Sequence, residues 1–424
     1  MSKLRYRARQ ELAISSYFTV FDAVSRRFFT CSSEEAETFL NQDNCFFCQA
    51  GDSNSDSHQT FQGVYPSQTI MAPNRLYLVL TRKCNLRCKM CYNGAGQALE
   101  NEMTTEDWKK VLDEMHRVGV FEARLTGGEP TMRPDFLEIL DYAIELGFYT
   151  SLASNGVWTD ELTHEICKRQ IDDVIISLDG PKKINDNFRP GGSYDQTVAT
   201  ISRLKAAGIP KVRINTVLSR LNYQSVEPLL ALCQQLDLLL IDFIHPRPFG
   251  RGANEEVQKQ MLTAAETLEF NRLVEGWRKK YPKAKVVMDF DLLSTENLPA
   301  HPIVPRIHAC PAGREFAFVS PQGNVFPCEV APVQKMELLT DLEKSLFVAG
   351  NLLEESLLKI WHESPTWQNY RQLKSCKPEK CFSCQYWTKK CFGTCPIGAY
   401  FATGKLNGED PYCFVDLLGE KNDH

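Results

Sequence analysis

Between residues 75 and 280 the chain alternates between two patterns. Short apolar runs occur at RLYLVLT (75–81), EARLT (122–126), FYTSLAS (148–154), DVIISLD (173–179), KVRINTVL (211–218) and LLIDFIH (239–245). Amphipathic segments separate them. In TEDWKKVLDEMHRVG (105–119), Trp108, Val111, Leu112, Met115 and Val118 recur at helical spacing. The same test predicts helices over about 134–146, 160–170, 194–207, 225–236 and 263–280. Six strands, each followed by a helix, imply right-handed crossovers and a parallel sheet. Such a sheet can close partway into a (βα)6 barrel, with its active-site loops at the C-terminal ends of the strands. The fold class is therefore α/β.

Both flanks differ from this centre. In residues 1–73, SYFTVFDAVSRRFFTC (16–31) reads as a hairpin and SEEAETFLNQ (33–42) as a short helix with a serine cap. The polar stretch DNCFFCQAGDSNSDSHQT (43–60) reads as a mobile loop that carries an incidental C-x2-C pair, Cys45 and Cys48. From 300 onward periodicity fades and Cys, Pro and Gly take over, as in a loop-rich domain that needs an internal scaffold. The expected division is 1–73, 74–299 and 300–424.

Composition narrows the function classes. Of 424 residues, 43% are hydrophobic and 24% charged, ordinary for a chain with a full core. The formal net charge of −5 gives no overall bias toward nucleic acid or anionic lipid. The N-terminus is basic without the apolar run of a signal peptide, and no uninterrupted apolar stretch of about 18 residues is present, so the expectation is a cytoplasmic protein. In a reducing compartment, 16 cysteines point to metal rather than to disulfides.

Three of them are crowded into TRKCNLRCKMCYN (81–93): Cys84, Cys88 and Cys91, directly after the first strand of the repeat. A structural zinc or a closed iron–sulfur cluster takes four protein ligands. Three thiolates on a [4Fe–4S] cube leave one iron open to a small molecule. The run CNLRCKMCY resembles the signature of the radical SAM superfamily, in which S-adenosylmethionine (SAM) fills that open position and is cleaved to a 5′-deoxyadenosyl radical. Three further motifs follow in family order. TGGEP (126–130) resembles the segment that receives the SAM amino group, which implicates Gly127, Gly128 and Glu129. SNG (154–156) contributes Asn155. SLDGPKKINDNFR (177–189) resembles the segment in which a serine meets the ribose and an arginine the carboxylate, roles that fall on Ser177 and Arg189. The resemblance places Met90 against the adenine.

The C-terminal part resembles the SPASM extension of peptide-modifying radical SAM enzymes, and together the resemblance spans roughly 75–415. By family order, Cys310, Cys328 and Cys395 bind a first auxiliary cluster, and Cys381, Cys384, Cys391 and Cys413 a second. One gap of this block is a residue longer than the family's usual spacing. The first set is one ligand short. Cys376 is the nearest spare thiol, with His308 and His301 as weaker candidates, and an open site is the alternative. Glu329 follows Cys328, where sulfatase-maturating relatives place a carboxylate base. Tyr92 reads as packing.

The resemblance implies an enzyme that abstracts hydrogen from a residue of a ribosomally made peptide and forms a thioether, carbon–carbon or carbon–oxygen bond. It implies a SAM-binding [4Fe–4S] cluster, two auxiliary iron–sulfur clusters, a precursor peptide whose leader docks on 1–73, and a flavodoxin- or ferredoxin-type electron donor. Two alternatives stay open: a sulfatase maturase forming formylglycine, and an iron–sulfur or zinc binding protein without radical chemistry.

Overall fold

The computed structural model describes residues 6–10, 17–22, 27–32, 45–48, 70–288, 311–329, 339–371, 378–386 and 395–417. Its first sheet contains β1 (Tyr6–Gln10), β2 (Tyr17–Asp22), β3 (Arg27–Ser32) and β4 (Cys45–Cys48), in the order β3-β2-β1-β4. The expected hairpin is β2–β3, with Val20 opposite Phe29. The C-x2-C stretch corrects the loop expectation. Cys45 through Cys48 form a strand that pairs in parallel with β1. Two phenylalanines between the cysteines favour an extended backbone, a signal that the polar residues beyond it obscured. The expected helix at 33–42 lies outside the described residues.

The central sheet follows the alternation closely. Its strands are β5 (Arg75–Val79), β6 (Glu122–Thr126), β7 (Tyr149–Ser154), β8 (Asp173–Ser177), β9 (Lys211–Val217) and β10 (Ile241–Ile244), all parallel neighbours in that order. A seventh parallel strand, β11 (Val286–Met288), extends the β10 edge. The connecting helices are α1 (Thr105–Arg117), α2 (Phe136–Glu145), α3 (Asp160–Cys167), α4 (Lys182–Phe188), α5 (Ser193–Ala206), α6 (Glu227–Gln235) and α7 (Ala264–Lys280). The short α4 was not foreseen: with Ile184 and Phe188 as its only large apolar residues, it carries too little periodicity to register. Threonine capping boxes start α1 (Thr104 with Asp107) and α7 (Thr263 with Glu266). Among the described residues no helix is long and apolar enough to cross a membrane.

The two faces of this sheet differ. A row of aligned residues, Leu78, Leu125, Leu152, Val174 and Val212, is fully buried. It belongs to the same apolar cluster as Trp108, Leu112 and Met115 of α1. The other face is polar yet inaccessible. Glu122 accepts from Arg75 at 2.5 Å, from Arg124 at 2.8 Å and from Ser151 at 2.5 Å, and Arg213 pairs with Asp173 at 2.8 Å. Buried charges persist only when paired in this way. Burial works against the charge on Arg124, but Glu122, Tyr77 and Asp173 together offset it and hold the guanidinium pKa above its ordinary value.

The C-terminal region joins the same sheet. Strand β12 (Phe316–Val319) runs parallel to β5, followed by antiparallel β13 (Asn324–Phe326) and β14 (Gly350–Asn351). Tyr77 and Phe318 stack across the seam with centroids 3.9 Å apart. Helices α8 (Asp341–Phe347), α9 (Leu357–Glu363) and α10 (Pro396–Thr403) complete it. This corrects the expectation of a region without its own core. Phe318, Phe326, Phe347, Tyr370 and Ile397 form a buried cluster, and Trp361 packs against Trp367 at 5.3 Å. The aromatic residues are spaced by turns rather than by helical or strand period, so pattern reading passed over them.

All three parts meet at residues 70–74. Trp361 donates to the Ile70 carbonyl at 3.0 Å, and the His362 ring meets the Met71 carbonyl at 2.7 Å. Arg9 donates to Asn74 at 2.9 Å and to the Gly119 carbonyl at 3.1 Å. Phe21 packs edge-on against Tyr149 at 5.2 Å. The first sheet therefore rests on the N-terminal ends of the central strands.

Candidate active site

The loop carrying Cys84, Cys88 and Cys91 leaves the C-terminal end of β5 and is held from several sides. Cys84 N donates to the Gly96 carbonyl at 3.0 Å, and Lys89 N to the Phe188 carbonyl at 3.1 Å. Gly128 N donates to the Thr81 carbonyl at 2.7 Å and Glu129 N to that of Lys83 at 2.8 Å. These bonds explain the two glycines. A Cβ on Gly127 would lie 2.7 Å from the Thr81 carbonyl, and one on Gly128 2.5 Å from that of Lys83. The close approach permitted here is to the backbone that leads into Cys84.

Glu129 is fully buried and its carboxylate is saturated. It accepts from Thr131 Oγ1 at 2.7 Å, Ser154 Oγ at 2.9 Å and Asn155 N at 2.9 Å. Burial raises its pKa and these donors oppose the rise. Asn155 passes the connection to the cysteine loop: its Nδ2 donates to Asn85 Oδ1 at 2.8 Å and lies 3.9 Å from Cys84 Sγ. Arg189 follows α4. Its Nε donates to Asp179 at 2.7 Å, and its Nη1 is 3.9 Å from Cys88 Sγ. Burial disfavours this guanidinium, but Asp179, Cys88 and Cys91 together offset burial and raise its pKa. Ser177 ends β8, half-buried.

The three thiols are free and half-buried. Burial pushes Cys84 up to about 11 and raises Cys88, with the neighbouring cysteines adding to the rise. To ionise together, three such thiols need a compensating cation. Among the described residues, no three His, Cys, Asp or Glu side chains converge on one point as ligands of a single ion would. A cube spreads its ligands over separate irons, so three thiols on one loop fit it.

A turn after β10, missed in the sequence, completes the brace. Arg251 donates to the Cys88 carbonyl at 2.8 Å and to the Ala95 carbonyl at 2.7 Å. Gly250 has φ +55, and a Cβ there would lie 2.4 Å from the Tyr92 carbonyl. The available signal was the Gly-Pro density of HPRPFGRGA (245–253) directly after the sixth strand.

A cavity of about 390 Å³ opens behind the loop. Met90 and Tyr92 line it from the loop, Arg124 and Asn215 from the sheet, and Cys328, Glu329 and Cys395 from the C-terminal region. The Tyr92 hydroxyl is hydrogen-bonded to Glu329, and burial followed by that carboxylate raises its pKa well above the ordinary value. Tyr92 is thus more than packing. Tyr412, beside Cys413, stacks on His245 at 4.0 Å and closes another wall.

The remaining cysteines are brought together only in part. Cys395 caps α10, its Sγ accepting from Gly398 N at 3.3 Å. Cys381 and Cys384 share a tight turn, with Cys384 N donating to the Cys381 carbonyl at 3.4 Å. Burial raises the pKa of Cys413. Cys310, Cys376 and Cys391, with His301 and His308, lie outside the described residues. Cys233 is buried and Cys167 half-buried.

Comparison with known proteins adds an independent line. The radical SAM superfamily model matches residues 78–233, and the model of the iron–sulfur cluster-binding SPASM domain matches residues 310–385. The mycofactocin maturase MftC of Mycolicibacterium smegmatis is 31% identical over 81% of this chain and 83% of its own. The PqqA peptide cyclase of Granulibacter bethesdensis is 30% identical over 81% of this chain and 88% of its own. The crystal structure of Streptococcus suis SuiB bound to precursor peptide SuiA superposes with a TM-score of 0.72 at 16% identity, covering 97% of this chain and 100% of that one.

Proposed function

This chain belongs to the radical SAM superfamily, in the branch that carries a C-terminal SPASM domain, and from that premise we propose that it modifies a residue of a ribosomally made precursor peptide by hydrogen abstraction and oxidative bond formation. The observation that carries this reading is the cavity itself. The three-cysteine loop forms one wall and the Cys328–Glu329 segment another. The relatives include a mycofactocin maturase and a PqqA peptide cyclase, which supports a peptide as substrate.

In this proposal Cys84, Cys88 and Cys91 hold the SAM-binding [4Fe–4S] cluster. Met90, Gly127, Gly128, Glu129, Asn155, Ser177 and Arg189 form the SAM pocket. Cys310, Cys328 and Cys395 serve one auxiliary cluster, and Cys381, Cys384, Cys391 and Cys413 a second, with Cys376 as a candidate further ligand. When bound, these groups supply reductive cleavage of SAM to a hydrogen-abstracting 5′-deoxyadenosyl radical and a place for the electron that the peptide gives up.

The chain's own residues do the rest. Glu129 is saturated by Ser154, Asn155 and Thr131, so it fixes the loop after β6 against the cysteine loop. Arg189, already paired with Asp179, keeps further N–H donors for the SAM carboxylate. The peptide loses a proton when the new bond forms. Glu329 faces the cavity to receive it, and the Tyr92 hydroxyl bonded to its carboxylate holds it in position. A protein that merely stored metal would have no use for a carboxylate–phenol pair facing a cavity.

The first sheet, residues 6–48, is the proposed leader-docking part, within a division at 73 and 299. Its seat at the N-terminal ends of the central strands separates it from the cavity by about one strand length, roughly 17–20 Å. Leader and modified residue are then at least about six extended residues apart. Cytoplasmic residence and a flavodoxin- or ferredoxin-type donor complete the reading. The test is anaerobic reconstitution with SAM, reductant and the peptide encoded by the neighbouring short open reading frame. Formation of 5′-deoxyadenosine together with loss of two hydrogens from the peptide is expected. An unchanged peptide mass rejects the substrate.

A further inference from the structure

The outer side of the three-cysteine loop has a composition that the site does not use. Lys83, Asn85, Arg87 and Lys89 are all exposed, while Leu86 and Met90 of the same loop are buried. The Lys89 ammonium donates to Asn187 Oδ1 at 2.7 Å, which ties the loop to α4. Lys183, also exposed, stands four residues back along that helix, about 6 Å by helical rise. Arg87 donates to the Cys84 carbonyl at 2.8 Å.

Among the described residues none of these four cations has an ion-pair partner. The nearby acids are engaged elsewhere. Asp195 pairs with Lys182, Asp179 with Arg189, and Asp186 accepts from Tyr194 N at 2.9 Å. Glu129 is buried. A chain of net charge −5 therefore presents a cluster of four unpaired positive charges on the loop that carries three thiols.

We propose that Lys83, Arg87, Lys89 and Lys183 form the docking face for an acidic one-electron carrier protein. The inference rests on the radical SAM reading, in which reductive cleavage of SAM requires one electron from outside the chain. Two observations favour this occupant over the precursor peptide. The face lies on the solvent side of the loop, whereas the cavity is lined from the same loop by Met90 and Tyr92. A carrier seated here meets the loop that carries Cys84 and Cys88, and it leaves the cavity open for substrate. Unpaired surface charge of one sign accelerates the encounter with a partner of opposite sign and fades with salt.

The test uses the reconstituted holoenzyme and a purified reduced flavodoxin as the acidic carrier. Arg87 and Lys89 are left in place because they brace the loop. The variant Lys83→Glu/Lys183→Glu is compared with the unaltered enzyme by surface plasmon resonance at low and high salt, and by 5′-deoxyadenosine formation with flavodoxin or with dithionite. Association is expected to slow about tenfold or more at low salt and to lose most of its salt dependence. Flavodoxin-driven SAM cleavage falls in parallel, while the dithionite-driven rate and the peptide KM stay unchanged. Unaltered flavodoxin binding overturns the docking face, and so does a variant whose main defect is a raised peptide KM. An equal loss with dithionite assigns the lysines to loop integrity and overturns it too. A failure of the unaltered enzyme to cleave SAM with dithionite would instead strike the radical SAM reading beneath it.

Discussion

The two cysteine-bearing regions are built on different terms. The loop of Cys84, Cys88 and Cys91 is bound by backbone and side-chain hydrogen bonds from the segments after β6, β7, α4 and β10, with glycines where no Cβ fits. The turns of Cys381, Cys384 and Cys413 show short-range bonds at the thiol-bearing residues, Cys384 N to the Cys381 carbonyl and Cys413 N to that of Asp410, while Tyr412 donates to the Pro246 carbonyl at 3.1 Å. In the proposed reading the first frame is set by the protein's own hydrogen bonds, and the second gains further order from the clusters its thiols hold, as small metal-linked domains do. A site that must present one open position to a cofactor needs a fixed frame. A site that closes around its metal can let the metal supply the frame.

The largest expected effect sharpens that contrast. Replacing Cys84, Cys88 and Cys91 together by Ala should abolish 5′-deoxyadenosine formation and leave the melting temperature nearly unchanged. Replacing Cys381 and Cys384 by Ala should open residues 378–417 to limited proteolysis. A triple variant that unfolds, or a double variant that resists protease, would break the comparison.

Next in size is Glu329→Gln. Product formed per 5′-deoxyadenosine should drop by about 10²–10⁴-fold, the usual contribution of a positioned base. SAM cleavage itself should persist. Equal losses of both quantities would show that Glu329 serves the SAM pocket instead.

Gly128→Ala tests the frame directly, because its Cβ would meet the Lys83 carbonyl at 2.5 Å. Displacing the loop by about 1 Å should cost on the order of a hundredfold in SAM cleavage, with reduced iron content at the three-cysteine site and normal auxiliary iron. Arg189→Ala should weaken SAM binding by about ten- to a hundredfold, the value of a charge-assisted hydrogen bond of about 1.5–3 kcal/mol. Equilibrium binding of SAM reads this directly. The smallest effect belongs to the seam between the regions. Trp361→Phe removes the bond to the Ile70 carbonyl and should lower stability by about 1 kcal/mol, visible in denaturant unfolding without loss of activity.

Much of this was legible before the structure. The alternation of apolar runs and amphipathic helices gave six strands and their order, because burial imposes a period that survives in the residues. The spacing of Cys84, Cys88 and Cys91 was equally plain, since a loop that binds one cluster must carry its ligands within a few residues. Contacts between distant segments were not legible. Arg251 reaches the Cys88 carbonyl across 163 positions, and Glu114 accepts from Leu357 N across 243. Neither leaves a periodic trace. The polar inner face of the sheet was hidden for a related reason. Glu122 and Arg124 look like solvent-facing positions of a strand until Arg75 and Ser151 arrive from its neighbours to pair with Glu122. The sequence by itself determined which residues form strands and helices and which thiols cluster, because those properties follow from local period and spacing. Only the tertiary structure decided that Tyr92 meets Glu329 and that the C-terminal strand β12 seals against β5, because such pairings depend on chain crossing and packing, for which no short stretch of sequence carries a signal.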